Sequence, residues 1–269
     1  MNRSVIAAIA GNELRQVVRS RDYLLPLGAL ALLFFLVIPV ILLGLVSSAT
    51  GNETAEAVGA VINTLPDTAQ DNIRGESPPT RASYAVAVYL LAPIAIVVPL
   101  TIATAVGATA VVGERERGTG EFLAHTPASE TEIYVGKLIA SLIPGYLATF
   151  AGFAVYSLVV NLIVGPGVGG WFFPTTDWLI LIVWVVPPFI AVALSIIVAM
   201  SARVKTAAAA QQASQLVTLP VILAAYGVAT GLLFNTSVAA LVIGALAWVV
   251  AIIGLTRGAH SIRRENLIN

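Results

Sequence analysis

The chain has 269 residues, 58% of them hydrophobic and only 10% charged, with 14 basic and 14 acidic side chains balancing to a formal net charge of zero. A soluble domain is about 45–50% apolar and about 25% charged, so this composition excludes an ordinary globular fold and describes an integral membrane protein. Cysteine is absent, which excludes disulfides and thiolate chemistry, and His125 and His260 stand too far apart in the chain to argue for a metal centre.

In chain order, residues 1–23 carry Arg3, Arg15, Arg19 and Arg21, with Ile6, Ala10, Leu14, Val17 and Val18 at helical spacing on one side. This predicts an amphipathic helix lying at the inner membrane surface. A cleaved signal peptide would need an apolar core of about 7–15 residues, whereas residues 24–46 run for 23 without a charge. At about 1.5 Å per residue that length suits about 30 Å of hydrocarbon, making 24–46 the first span. Segment 47–82 is acidic, with Glu53, Glu56, Asp67, Asp71 and Glu76 against Arg74 and Arg81. Ala55, Val58, Val61, Ile62 and Leu65 predict a short amphipathic helix before Pro66, at the opposite surface.

The second span is 83–112, with kinks expected at Pro93 and Pro99. A charged island follows at 113–137, reading GERERGTGEFLAHTPASETEIYVGK. The third span is 138–164, ended by glycine-rich 165–170 and Pro174, with Trp171 and Trp178 expected as interfacial aromatics. The fourth, 178–200, is expected to break at Pro187-Pro188 before Arg203 and Lys205 return the chain to the basic side. Residues 206–256 hold no charge and are too long for one span, so a split at Asn235-Thr236-Ser237 gives spans at 213–234 and 238–256.

The fold class expected is therefore an all-α integral membrane protein of six transmembrane helices, one polytopic domain over 1–269. Six spans put both termini on one face. The N-terminal segment, the island, the Arg203/Lys205 turn and the tail with Arg257, Arg263 and Arg264 hold 12 of the 14 basic residues there, which predicts cytoplasmic termini.

Within the island, Ser129 and Glu132 have capping-box spacing and predict the start of the third helix. Thr126-Pro127 ends whatever precedes it, because a residue before proline is biased away from helix. That isolates a short cytoplasmic helix, roughly 119–125, with Phe122 and Leu123 beside Glu121. Such an apolar knob with a charged rim suits insertion into a partner's groove. The residues alone equally allow a solvated loop that merely obeys the topology rule.

Gly118-Thr119, Glu121, Thr126-Pro127, Ser129 and Gly136-Lys137 resemble the cytoplasmic loop by which ABC-2 type permeases, the membrane subunits of ATP-binding-cassette exporters, dock on their ATPase. Glu114 and Glu116 resemble the acidic residues that close the helix before that loop. Less distinctively, Glu13-Leu14 with Arg19, Ser201 to Lys205, Gln211-Gln212 and Arg263-Arg264-Glu265-Asn266 resemble other segments of the family. The resemblance implies a multi-pass protein of the cell membrane that docks ATPase subunits through Glu114, Glu116, Gly118, Thr119, Glu121, Phe122, Leu123, Thr126 and Pro127. It further implies a second permease copy or paralogue as partner, with ATP and Mg bound on the ATPase and no cofactor on this chain.

Other signals narrow the chemistry. Gly165, Gly167 and Gly170 match a dinucleotide fingerprint by count but lie between spans, and Gly136-Lys137 lacks the rest of a phosphate loop, so no nucleotide site is encoded. The apolar zones hold Ser and Thr without any acid, base or His, which argues against an intramembrane enzyme and weakens an ion-coupled carrier. Tyr146, Tyr156, Asn161, Gln211, Gln212 and Gln215 are candidates either to line a translocation path or to hydrogen-bond between helices. With no fixed charge in the spans, the expected cargo is amphipathic or lipid-like. The remaining alternatives are an ATP-independent channel or secondary carrier and a membrane anchor of an assembly complex. Nothing points to nucleic acid.

Overall fold

The computed structural model describes residues 2–48, 67–119, 125–234 and 237–258, with 59, 60, 62, 63, 65 and 121 between them. Every regular element among these residues is helical. Helix α1 (Arg3–Arg19) starts at Asn2, whose side-chain oxygen accepts the Ser4 N–H at 3.1 Å. Its packed face is built on Ile6 and Ala10. Val18 does not share that face and is 63% exposed. At about 100° per residue it stands about 80° round from Ala10, off the line of contact.

Among the described residues, four helices are long and apolar enough to cross a membrane: Leu24–Ser47, Pro78–Ala108, Glu130–Ile163 and Thr176–Ser201. The first is made of α2 (Arg21–Leu32), a π-helical turn at Leu33–Val37 and α3 (Ile38–Ser47). In that wide turn Phe35 is pressed inward onto Gly152, where a Cβ would come within 2.1 Å of its ring. Short α4 (Asp67–Gln70) follows, with Ala69 and Ile73 buried. Most of the helix expected before Pro66, including Ala55, Val58 and Val61, lies outside the described residues.

The second long helix begins with α5 (Pro78–Ala85), capped by the Ser77 hydroxyl, widens into a π turn at Val86–Leu90, and breaks at 91–93 before α6 (Ile94–Ala108). The break is the one expected at Pro93, whereas Pro99 sits inside continuous α6. This helix is the centre of the bundle, 78% of its apolar window buried against 17% for the first.

After short α7 (Val112–Glu116) comes α8 (Glu130–Ile163), then a single 3-10 turn at Gly165–Gly167. The last long helix of the four comprises α9 (Thr176–Ile180), a π turn at Leu181–Val185 and α10 (Val186–Ser201). It runs unbroken through Pro187-Pro188, because both prolines fall in the first turn of α10, where a missing N–H is tolerated. The uncharged C-terminal run holds two helices, α11 (Ala207–Phe234) and α12 (Ser237–Gly258); Asn235 and Thr236, where the split is expected, lie outside the described residues.

At the end of the bundle away from the island, aromatic side chains lock three helices together. The Tyr156 hydroxyl donates to Ala87 O at 2.5 Å and the Trp178 indole N–H to Val88 O at 2.9 Å. Their rings stack at 5.3 Å, with Phe173 edge-on to Trp178 at 5.0 Å. Trp178 is therefore fully buried and not an interfacial aromatic, because the break at 91–93 ends the backbone ladder and leaves these carbonyls to side-chain donors. Trp171, 67% exposed, keeps the expected position.

Candidate functional site

The island is hung between two helix ends, each closed by its own sequence. At the first, the Thr119 N–H bonds Glu114 O at 2.9 Å and the Gly118 N–H bonds Arg115 O at 3.0 Å. This six-to-one and five-to-two pair is a Schellman motif, and it needs a left-handed residue, which Gly118 supplies at φ +68°. At the second, Ser129 Oγ accepts the Glu132 N–H at 3.3 Å while Glu132 accepts the Ser129 N–H at 2.9 Å, the expected capping box. The Asn2 N–H reaches the other Glu132 oxygen at 2.5 Å, so α1 and α8 start from one point.

Between these stops, the His125 N–H bonds Glu121 O at 3.1 Å, a helical i to i−4 contact. Glu121, His125 and Pro127 are exposed, and Thr126 is half-buried. Phe122 and Leu123, the expected apolar knob, lie outside the described residues, as do Gly120 and Ala124.

Behind the loop is a buried ionic cluster that joins three elements. Lys137, in the second turn of α8, is fully buried. Its ammonium donates to Glu13 of α1 and, at 3.1 Å, to Glu114 of α7. Thr119 donates its hydroxyl to the Glu114 carboxylate, carrying the cluster into the loop. Burial pushes the Glu114 carboxyl up, but the Lys137 charge and the Thr119 hydroxyl together outweigh it and hold it at about 2. For Glu13 burial wins over the attraction of Lys137, and its carboxyl is raised.

Helix α7 also ties the loop to the last two described helix pairs. Glu116 accepts the Ala207 N–H at 2.8 Å, capping the start of α11, which is a favourable place for a negative charge. Arg115 donates to Ser201 O at 3.4 Å and to Val204 O, and Ser201 Oγ accepts the Val111 and Val112 N–H groups at 3.2 Å each. Of the expected docking residues, then, Glu114 is turned inward and Glu116 is engaged within the chain, while Gly118, Thr119, Glu121 and Pro127 face out.

The polar residues of the spans divide in the same way. Tyr156 belongs to the aromatic lock. Asn161 clamps the 172–173 backbone, accepting from the Phe172 and Phe173 N–H groups at 2.9 and 3.0 Å and donating to Phe173 O at 2.6 Å. Gln211 donates to Ala105 O at 2.9 Å, pinning α11 to α6. Gln212 and Gln215 are exposed on α11, and the buried Tyr146 hydroxyl has no hydrogen-bond partner among the described residues.

Sequence reasoning did not single out Lys137 and Glu13 as an ion pair. The signal was present: Lys137 is the last charge before a long uncharged stretch, where an unpaired ammonium is costly, so a counter-ion was required. Glu13 is the acid of an otherwise arginine-rich segment before Asp22.

A family model described as ABC-2 family transporter protein matches residues 7–240. Comparison with curated proteins gives no match.

Proposed function

The chain belongs to the ABC-2 transporter family, and from that premise we propose that it is the permease of an ATP-driven exporter whose ATP and Mg are bound by a separate ATPase chain. As a transport component of the membrane, it is not itself the catalyst. The observation that carries the coupling is the attachment of the island. Glu114 before the 118–127 segment and Lys137 after it are joined to each other, and α7 grips α10 and α11 through Arg115 and Glu116. A push on this segment is thus delivered to α1, α6, α8, α10 and α11 together.

In this reading Glu121, Phe122, Leu123 and Thr126-Pro127 meet the ATPase, while Gly118 and Thr119 set the angle of the loop. Glu114 and Glu116 act from behind it, linking it to the bundle. Nucleotide on the ATPase then biases two arrangements of the same helices. Six spans with both termini in the cytoplasm are supported by α11 and α12, which bear no charge before Arg257, and by the basic excess on the island's side. A second copy or a paralogue completes the path. Gln212, Gln215 and Tyr146 are the polar groups left to line it, which suits an amphipathic or lipid-like cargo.

The test is affinity purification of the tagged protein in mild detergent with mass spectrometry of its companions. A stoichiometric ATP-binding-cassette ATPase is expected, lost when 118–127 is replaced by a flexible linker. An ATPase retained by the linker variant removes the loop from docking, and a chain that reproducibly comes alone removes the ATP-driven reading.

A further inference from the structure

A cleft of about 410 Å³ opens beside the ionic cluster, between α1, the end of α6 and the start of α8. Its size falls in the range of about 300–1,000 Å³ found for small-molecule sites. Arg19 and Arg117 stand at it, both exposed. Among the described residues no carboxylate pairs with Arg19, and Arg117 reaches only Glu114, at 4.0 Å. Cleft and cluster together set three cations, Arg19, Arg117 and Lys137, against Glu13 and Glu114, so the uncompensated charge is positive.

Val17, Val106, Ala110 and Ala140 give the cleft an apolar wall, beside the polar Gln16, Ser20, Thr109 and Ser141. Val106 and Ala140 belong to helices long and apolar enough to cross a membrane, so this part of the lining sits at the roots of two candidate spans. A free inorganic anion would use the guanidinium groups and leave that wall uncovered. An anionic head with an attached chain uses both.

We propose that this cleft binds an anionic phospholipid, its phosphate held by Arg19 and Arg117 and its chain laid along Val17, Val106 and Ala140. Guanidinium groups suit this task because their planar donors match phosphate oxygens in pairs. Access from the inner leaflet rests on the orientation proposed above, but the binding site itself requires neither the orientation nor an ATPase. A lipid seated here touches α1 through Arg19 and the root of the docking loop through Arg117.

The experiment uses the full-length protein purified in mild detergent and a chain-labelled phosphatidylglycerol, with binding followed by fluorescence anisotropy. Phosphatidylcholine with the same chains and inorganic phosphate serve as competitors. Expected is saturable binding, displaced by unlabelled phosphatidylglycerol and not by phosphatidylcholine or millimolar phosphate. Arg19→Gln/Arg117→Gln should weaken it by about tenfold or more. Both side chains are exposed, so an unchanged elution profile of that variant is expected. Equal binding of the two lipids, full displacement by phosphate, or wild-type affinity in the double variant each overturns the proposal. Because no ATPase is present, failure here leaves the docking reading standing, and failure of ATPase recovery leaves the lipid site standing.

Discussion

At the scale of single residues, Lys137 carries more of the architecture than its place in the sequence advertises. One ammonium, fully buried, balances carboxylates from two other elements. Removing one partner of a buried ion pair leaves an uncompensated charge, at a cost of about 3–5 kcal/mol, whereas replacing the whole set by neutral groups is much milder. Lys137→Met should therefore lower the unfolding temperature in detergent sharply, and Lys137→Met/Glu13→Gln/Glu114→Gln should recover most of the loss. Thermal denaturation followed by size-exclusion chromatography compares the three proteins, and a triple variant as unstable as the single one would refute ionic balance as the cause. The opposite directions taken by the two carboxyls fit the same picture. Glu114, with Lys137 and Thr119 both on it, is kept charged, while Glu13 receives less than its burial demands.

At the scale of elements, the loop is defined by how its neighbours stop. Gly118 at φ +68° ends α7, and a side chain there meets no atom of the described residues within 4 Å, so Gly118→Ala is a conformational change of about 1–2 kcal/mol. It should tilt or fray the start of the loop and reduce ATPase recovery several-fold while membrane insertion is unchanged, as measured by pull-down against total membrane protein. Undiminished recovery would show that the Schellman stop does not orient the docking surface. These stops were readable in the sequence, as Ser129-x-x-Glu132 and as the Gly118-Thr119 pair, because capping is local chemistry. Helix boundaries set by charge were equally plain, as where Arg203 and Lys205 separate α10 from α11. What could not be read were features decided by partners far along the chain. Trp178 looked like an interfacial residue until the carbonyl of Val88 claimed its N–H, and Pro187-Pro188 looked like a break although a π turn just before it let the helix continue. Asn161 and Tyr156, legible only as polar groups in an apolar run, proved to be clamps.

At the scale of the molecule, the proposed six-span topology makes a direct prediction, and the chain's lack of cysteine provides a clean background for testing it. Pro127→Cys and Lys205→Cys, both at exposed positions of the basic side, should be labelled by a membrane-impermeant maleimide only after the cells are opened. Trp171→Cys, exposed at the other end, should be labelled in intact cells. The inverse pattern, with Pro127→Cys and Lys205→Cys labelled in intact cells and Trp171→Cys only after opening, would reverse the assignment of faces and remove the island from the cytoplasm. The same geometry also has a kinematic consequence. The aromatic lock and the Asn161 clamp fasten the π turn after α5, α8 and α9 near Tyr156, whereas the capping box of α8 sits at the opposite end, about 36 Å away at about 1.5 Å per residue. A tilt of about 5° about that fastening moves the capping-box end by about 3 Å and the aromatic end hardly at all. The bundle is therefore a set of levers with a common fulcrum, in which a small rotation imposed at the loop is greatest where the helices are held by charges and least where they are held by rings.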